Sequence, residues 1–269
     1  MQLPIVCFDL DGTLVDAEGN IHPNDIALLE LAEPPVCFIP ATGRSLGSVC
    51  RTFARNGLFM NSALPFPLVL QNGALLYAAG EKRLEYFPFD ESIQDDLIQL
   101  ALDSANMTFL FLAEDEIHLL WEHRFGLEAA RRYDFATQPF TPQSRLQKFS
   151  KVMGISQSPE ALEDFAVRAN ALPVHGAYSM AEIYEINPRH VNKGRGLKIL
   201  LAELGWQDRP VFTAGDGEND EELLTQAFRS FVPMTAPVNI QNLASFQVDI
   251  KKTGLLEPMI FAATQISFS

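Results

Sequence analysis

Two carboxylates spaced two apart, Asp9 and Asp11, follow the apolar run Ile5-Val6-Cys7-Phe8 and precede Gly12. The run is short and holds β-branched and aromatic members, so it reads as a buried strand. Like charges held together at a strand end are costly unless a cation lies between them or they share a proton. The pair therefore points to a metal or to acid/base chemistry. In open α/β sheets, ligands bind at this carboxyl end of the strands. The bland alternative is an ordinary Asp-Gly turn after a strand, which the pair alone leaves open.

Three other stretches end in the same manner. Val36-Cys37-Phe38-Ile39 reads as a strand running into Ala41-Thr42-Gly43-Arg44, Pro67-Leu68-Val69-Leu70 as one ending at Gln71-Asn72-Gly73-Ala74, and Val211-Phe212-Thr213-Ala214 as one entering Gly215-Asp216-Gly217-Glu218-Asn219-Asp220. A parallel sheet brings such ends to one edge, so residues far apart in sequence would line one crevice. Taken singly, Lys193 is a solvated lysine, Thr42 a helix-entry hydroxyl and the 216 to 220 run an acidic turn. An EF-hand fails for both acidic runs: position six is Leu14 or Glu221 where glycine is needed, and position twelve is Asn20 or Ala227 where glutamate is needed.

The elements that would position these residues follow from periodicity. A hairpin-like flap over Leu14 to Ile21, with polar residues and a glycine, leads to a helix from Pro23 to about Glu33, ended by Pro34-Pro35. Leu46, Val49, Cys50 and Phe53 mark a second helix closed by Gly57, and Leu197, Leu200, Leu201 and Leu204 a third capped by Gly205. Strand and helix in alternation predict a parallel sheet. Between about Ala79 and Pro188 the rhythm changes, with strands expected near 84–89, 107–112, 116–121, 151–155, 174–178 and 181–186, and helices near 92–104 and 160–169. Strands beside strands mean antiparallel or mixed pairing, hence an inserted α+β unit over 79–188 in a chain whose remainder is 1–78 and 189–269.

Composition narrows the partners. At 269 residues, 47% of them hydrophobic, the chain can bury sizeable cores, and its net charge of −14 argues against nucleic acid or an anionic membrane surface. An anionic substrate would then need a local cation; Arg124, Arg131 and Arg132 form a basic cluster in the insert, more simply read as a solvated face. Cys7, Cys37 and Cys50 lack CxxC spacing and read as buried free thiols of a reducing compartment, here the cytoplasm, while the histidines show no zinc spacing. The amino terminus lacks a basic leader pattern, and no stretch is long and apolar enough to span a bilayer. Oligomeric state is not legible.

Taken together, Asp-Leu-Asp-Gly-Thr at 9–13, Ala-Thr-Gly-Arg at 41–44, Asn-Lys-Gly at 192–194 and Gly-Asp-Gly-Glu-Asn-Asp at 215–220 resemble the four ordered motifs of the haloacid dehalogenase superfamily. The large insert, with Asn-Gly-Ala at 72–74 before it, is similar to the Cof-type (subclass IIB) phosphatases. The resemblance implies an α/β fold with a Rossmann-like parallel-sheet core and an inserted α+β cap domain, a Mg²⁺ cofactor and phosphoryl transfer through an aspartyl-phosphate. It implies Asp9 as nucleophile and Asp11 as acid and base; Asp9, Asp216 and the backbone carbonyl of Asp11 as metal ligands; Leu10, Thr42, Gly43, Lys193 and Asn219 as phosphate-binding residues; and Asp220 as an orienting group behind them. These roles suit the chemistry: a carboxylate splits one displacement into two, and an oxygen-bound cation offsets the repulsion between carboxylates and phosphate. The chain departs from the pattern at Pro233-Met234-Thr235-Ala236, where the subclass commonly shows Gly-Asn-Ala. The expected substrate is a small phosphate ester, a sugar phosphate or phosphorylated cofactor, hydrolysed by the enzyme. A phosphotransferase or mutase using the same Asp9, or a catalytically silent binding protein, are the rivals.

Overall fold

A computed structural model describes residues 2–265. Strand Ile5–Phe8 lies inside a five-stranded sheet and its four side chains have no exposure, which is why the sequence there is continuously apolar rather than alternating. It pairs in parallel with Cys37–Pro40 on one side and Val211–Ala214 on the other, with Phe8 opposite both Pro40 and Ala214. Arg229–Pro233 and Phe246–Val248 extend the sheet beyond Val211–Ala214, also in parallel. The chain leaves Ile5–Phe8 to one side and comes back on the other. The gap between that strand and Val211–Ala214 is therefore the switch point of the sheet, with Asp9 and Asp216 just beyond its two edges.

A parallel bridge between Ala41 and Val69 attaches strand Leu68–Leu70 to this edge. That strand opens a three-stranded antiparallel sheet with Leu75–Ala78 and Lys82–Tyr86. Leu75–Ala78 was not expected as a strand: the sequence pattern stops at Gln71-Asn72-Gly73, where a tight turn with Gln71 and Asn72 at φ 49° and 58° reverses the chain into a hairpin. Two adjacent non-glycine residues in the left-handed region store strain beside the crevice.

The third sheet runs in the order Val174–Met180, Ile183–Pro188, Lys151–Ile155, Thr108–Leu112, Ile117–Leu120, Thr137–Pro139. All its pairs are antiparallel save the last, and Thr137–Pro139 had no signal in the sequence. Alternation along Thr108–Leu112 divides its two faces: Phe109 and Phe111 join the cluster with Leu97, Ile98 and Phe165, while Leu110 and Leu112 join Ala129 and Ala130. Helices Glu91–Leu102 and Pro159–Asn170 thus cover one face and Arg124–Arg132 the other. Of the three thiols only Cys7 is fully buried; Cys37 and Cys50 are half-buried, Cys37 against the guanidinium of Arg209. No helix among the described residues is long and apolar enough to cross a membrane.

Candidate active site

The switch point collects the acidic motifs around one buried cation. Lys193 is the first residue of helix Lys193–Glu203, whose N-cap Asn192 accepts the Arg195 amide at 2.8 Å. Its Nζ lies 2.7 Å from an oxygen of Asp9 and 2.7 Å from one of Asp220, and all three residues are buried. Burial alone would pull the ammonium down, but Asp220 and Asp9 outweigh it and hold Lys193 above the ordinary lysine range, so it stays charged. Asp220 uses its other oxygen to accept the amides of Asp216 and Gly217 at 3.0 and 3.1 Å, which fixes the loop carrying Asp216.

Asp9, Asp216 and Asp220 each place a carboxylate oxygen within 4.8 Å of the others. Burial raises Asp9 well above the usual carboxylate range, and Asp216 is pushed up to about 6 by burial and then by Asp220. Thr13 donates to one Asp216 oxygen at 2.8 Å, and the other accepts no hydrogen bond among the described residues. A crowded set of hard oxygen donors whose charge is incompletely neutralised is what Mg²⁺ suits. Gly12, at φ 80°, keeps this space open: a Cβ there would stand 2.3 Å from Asp216 Oδ2. Asp220 is already engaged by Lys193 and two amides, so Asp9 and Asp216 are the side chains with oxygens to spare.

Asp11 does not join that cluster by its side chain. Its carboxylate is turned to Arg44, which donates from Nε at 2.8 Å and from Nη2 at 2.6 Å. The backbone carbonyl is what Asp11 has left for a metal. Arg44 is almost wholly buried and also donates to Ser48, to Thr52 at 2.6 Å and to the carbonyl of Tyr133 at 3.3 Å, so one guanidinium ties Asp11 to the end of helix Arg124–Arg132.

Of the expected phosphate-side residues, Thr42, Gly43 and Asn219 line a cavity of about 350 Å³ with Asp9, Asp11 and Asp216, whereas Leu10 and Lys193 are buried behind its lining. Thr42 accepts the Arg44 amide at 3.3 Å. Leu10 has its side chain in the core, so only its backbone amide can serve an anion; neither that amide nor Gly43's has a partner among the described residues. A Cβ on Gly43 would sit 2.6 Å from Lys151 Nζ. Asn219 donates weakly to Asn72 at 3.4 Å.

Several residues of the site escaped the sequence reading. Arg44 and Thr13 stood inside the quoted motifs without a role. Lys151, at the start of one apolar strand of the insert, and Glu185, inside the neighbouring one, are both buried and pair at 2.8 Å; Lys151 also donates to the Gly43 carbonyl at 2.9 Å, and Asn72 reaches Glu185 at 2.7 Å. Their signal was available: a charge inside Lys151-Val-Met-Gly-Ile155 or Ile183-Tyr-Glu-Ile186 has to be matched in the fold. Burial lowers Lys151 from the ordinary lysine value, with Glu185 opposing. Of the three arginines grouped by sequence, Arg131 and Arg132 line the cavity, whereas Arg124 points outward and pairs with Glu128.

Comparison with known proteins fits this geometry. The chain is 24% identical to a phosphoglycolate phosphatase of Methanopyrus kandleri over 247 residues, covering 91% of this chain and 90% of the relative. It is 24% identical to an HMP-PP phosphatase of Serratia proteamaculans over 253 residues, covering 89% and 86%. Among solved structures, TM0651 from Thermotoga maritima superposes with a TM-score of 0.80 at 21% identity, covering 100% of this chain and 99% of the other. The HAD subclass IIB sugar phosphatase BT4131 does so at 0.80 and 17%, covering 97% and 99%. The family model of the haloacid dehalogenase-like hydrolases matches residues 6–255, and the chain is an enzyme belonging to that family.

Proposed function

We propose that this enzyme is a Mg²⁺-dependent phosphatase that hydrolyses small phosphorylated metabolites through a phosphorylated Asp9. The observation that carries the reading is Lys193, buried and shared at 2.7 Å between Asp9 and Asp220, with Asp216 beside them at the floor of the cavity. The relatives named as phosphatases support the class. Asp9, Asp216 and the carbonyl of Asp11 would hold Mg²⁺, which supplies charge neutralisation for the transferring phosphoryl group.

Asp9 attacks phosphorus; its bond to phosphorus forms as the ester P–O bond breaks. Asp11 enters this step protonated on the oxygen that faces the leaving group, its other oxygen keeping a hydrogen bond from Arg44, and gives that proton to the departing alkoxide. The phosphoryl oxygens are met by Lys193, the Thr42 hydroxyl and the free amides of Leu10 and Gly43, donors fixed before the substrate arrives. In the second half, water attacks phosphorus, Asp11 takes its proton, and the bond to Asp9 breaks to release phosphate. Residues 1–78 and 189–269 form the catalytic part in this reading. Residues 79–188 form a lid that excludes water and holds the leaving group, a role supported by the Lys151–Gly43 and Arg44–Tyr133 contacts across the crevice. The free thiols suit a reducing, cytoplasmic setting.

Asp9→Asn tests the assignment: an amide keeps the shape but is a very poor nucleophile. Turnover of p-nitrophenyl phosphate should be abolished while the far-ultraviolet circular dichroism is unchanged; substantial residual turnover would exclude the covalent route.

A further inference from the structure

The cavity is lined from two sides: one is the reacting end just described, and the other is supplied by the insert, with Arg131, Arg132, Phe135, Met153, Ser179 and Met180. The other cations around it are each committed: Arg44 to Asp11, Lys151 to Glu185, Lys193 to Asp9 and Asp220, and Arg55 to Asp134 at 3.1 Å. Arg131 and Arg132 are not. Among the described residues neither makes an ion pair or a side-chain hydrogen bond, although the flap across the mouth carries Asp16 and Glu18. Asp16 instead accepts the amides of Glu18 and Asn20 within its own loop. A helix C-terminus favours cations, which explains why arginines are tolerated at 131 and 132 but not why they border the cavity rather than pair as Arg124 does.

A second observation lies on the same wall. The hairpin of Val174–Met180 with Ile183–Pro188 slips register between Tyr178 and Met180, and the residue at the slip is Ser179. Its hydroxyl is shielded from bulk solvent and has no hydrogen-bond partner among the described residues. Bulges re-aim side chains beside active sites, and a buried hydroxyl without a partner is costly unless a ligand supplies one.

We infer that this wall is a subsite for a second anionic group on the leaving group. Preferred substrates are phosphomonoesters whose alcohol carries a carboxylate or another phosphate, met by Arg131 and Arg132, with an uncharged middle lying over Phe135 and Met153 and accepting from Ser179. In a chain of net charge −14, two uncommitted guanidiniums at a cavity wall select for such a group over a neutral one. This rests on the phosphatase reading.

The test is the ratio of kcat/KM between matched substrates: 3-phosphoglycerate against glycerol 3-phosphate, and fructose 1,6-bisphosphate against fructose 1-phosphate. The unaltered enzyme should favour the doubly anionic member of at least one pair by roughly ten- to a hundredfold. That ratio should shrink as salt is raised from about 0.05 to about 0.5 M. Arg131→Met with Arg132→Met should bring it to about one, and Ser179→Ala should lower it in part. Should the double variant fail to fold, the unaltered enzyme's ratio and its salt dependence decide. Hydrolysis of p-nitrophenyl phosphate with no preference in either pair overturns the subsite alone, as does a preference that survives the double substitution. Hydrolysis of none of these esters overturns the phosphatase reading and the subsite with it.

Discussion

Replacing Asp11 by asparagine should separate the two halves of the reaction. The carboxylate is held by two charged hydrogen bonds from Arg44, at 2.8 and 2.6 Å, and its side chain is 36% exposed. The amide keeps the shape and one acceptor but can neither give nor take the proton. A positioned general acid is worth roughly 10²- to 10⁴-fold, about 3–5 kcal/mol of barrier, where the leaving alkoxide needs protonation. An alkyl phosphate should therefore lose about that much kcat/KM, whereas p-nitrophenolate departs unprotonated and should lose less than about tenfold. The attack of water needs Asp11 as base whatever has left, so kcat falls on both substrates. Phosphorylated Asp9 then accumulates, and stopped-flow mixing with p-nitrophenyl phosphate should show a burst of one p-nitrophenolate per site. Loss of one charged bond in a partly solvated pair costs roughly 1–2 kcal/mol, so a thermal melt should show the variant folded. Equal losses of kcat/KM on alkyl and aryl esters, or the lack of a burst, would refute the dual role of Asp11.

Three further outcomes are expected. Lys193→Met leaves Asp9 and Asp220 buried without their cation; unfolding by denaturant should show a loss of roughly 3–5 kcal/mol at neutral pH, smaller in acid, and no change at either pH would contradict the shared ion pair. Excess EDTA should stop turnover. In the chelated protein the raised Asp216 makes the native state take up a proton before the unfolded chain does, so stability should rise as pH falls from about 7.5 to about 5, and Mg²⁺, which requires the ionised carboxylate, should reverse that slope. A melting temperature that falls with pH in EDTA would count against the crowded carboxylates. Gly12→Ala, whose Cβ would meet Asp216 at 2.3 Å, should weaken Mg²⁺ binding measured by calorimetry much more than it weakens the fold.

The parallel sheet and the crevice at its edge were legible because their causes are local. A strand buried on both faces has to be apolar throughout, as Ile5–Phe8 is, and the polar residues that end it then stand out. The ordered motifs were visible for the same reason. Less local relations were hidden. Asp11 and Arg44 form their ion pair across 33 positions, and nothing in either motif says that they face each other. Lys151 and Glu185 are charges in strands that are neighbours only through register, so the sequence marks each as odd without naming its partner. The hairpin at Gln71–Ala74 was missed although Asn72-Gly73 is itself a turn signal; only the left-handed Gln71 ahead of it departs from the usual turn chemistry. Arg131 and Arg132 differ from Arg124 only in where the helix end meets the cavity, which periodicity does not encode.

The most direct test is to catch the phosphoryl group on Asp9. Quenching the Asp11→Asn enzyme in acid during turnover and mapping its peptides by mass spectrometry should place one phosphoryl group on the peptide containing Asp9, removable by hydroxylamine and missing from Asp9→Asn. Continued phosphate release by the enzyme with no phosphoryl group on Asp9 at any quench time would contradict the covalent route and, with it, the role given to the cluster around Lys193.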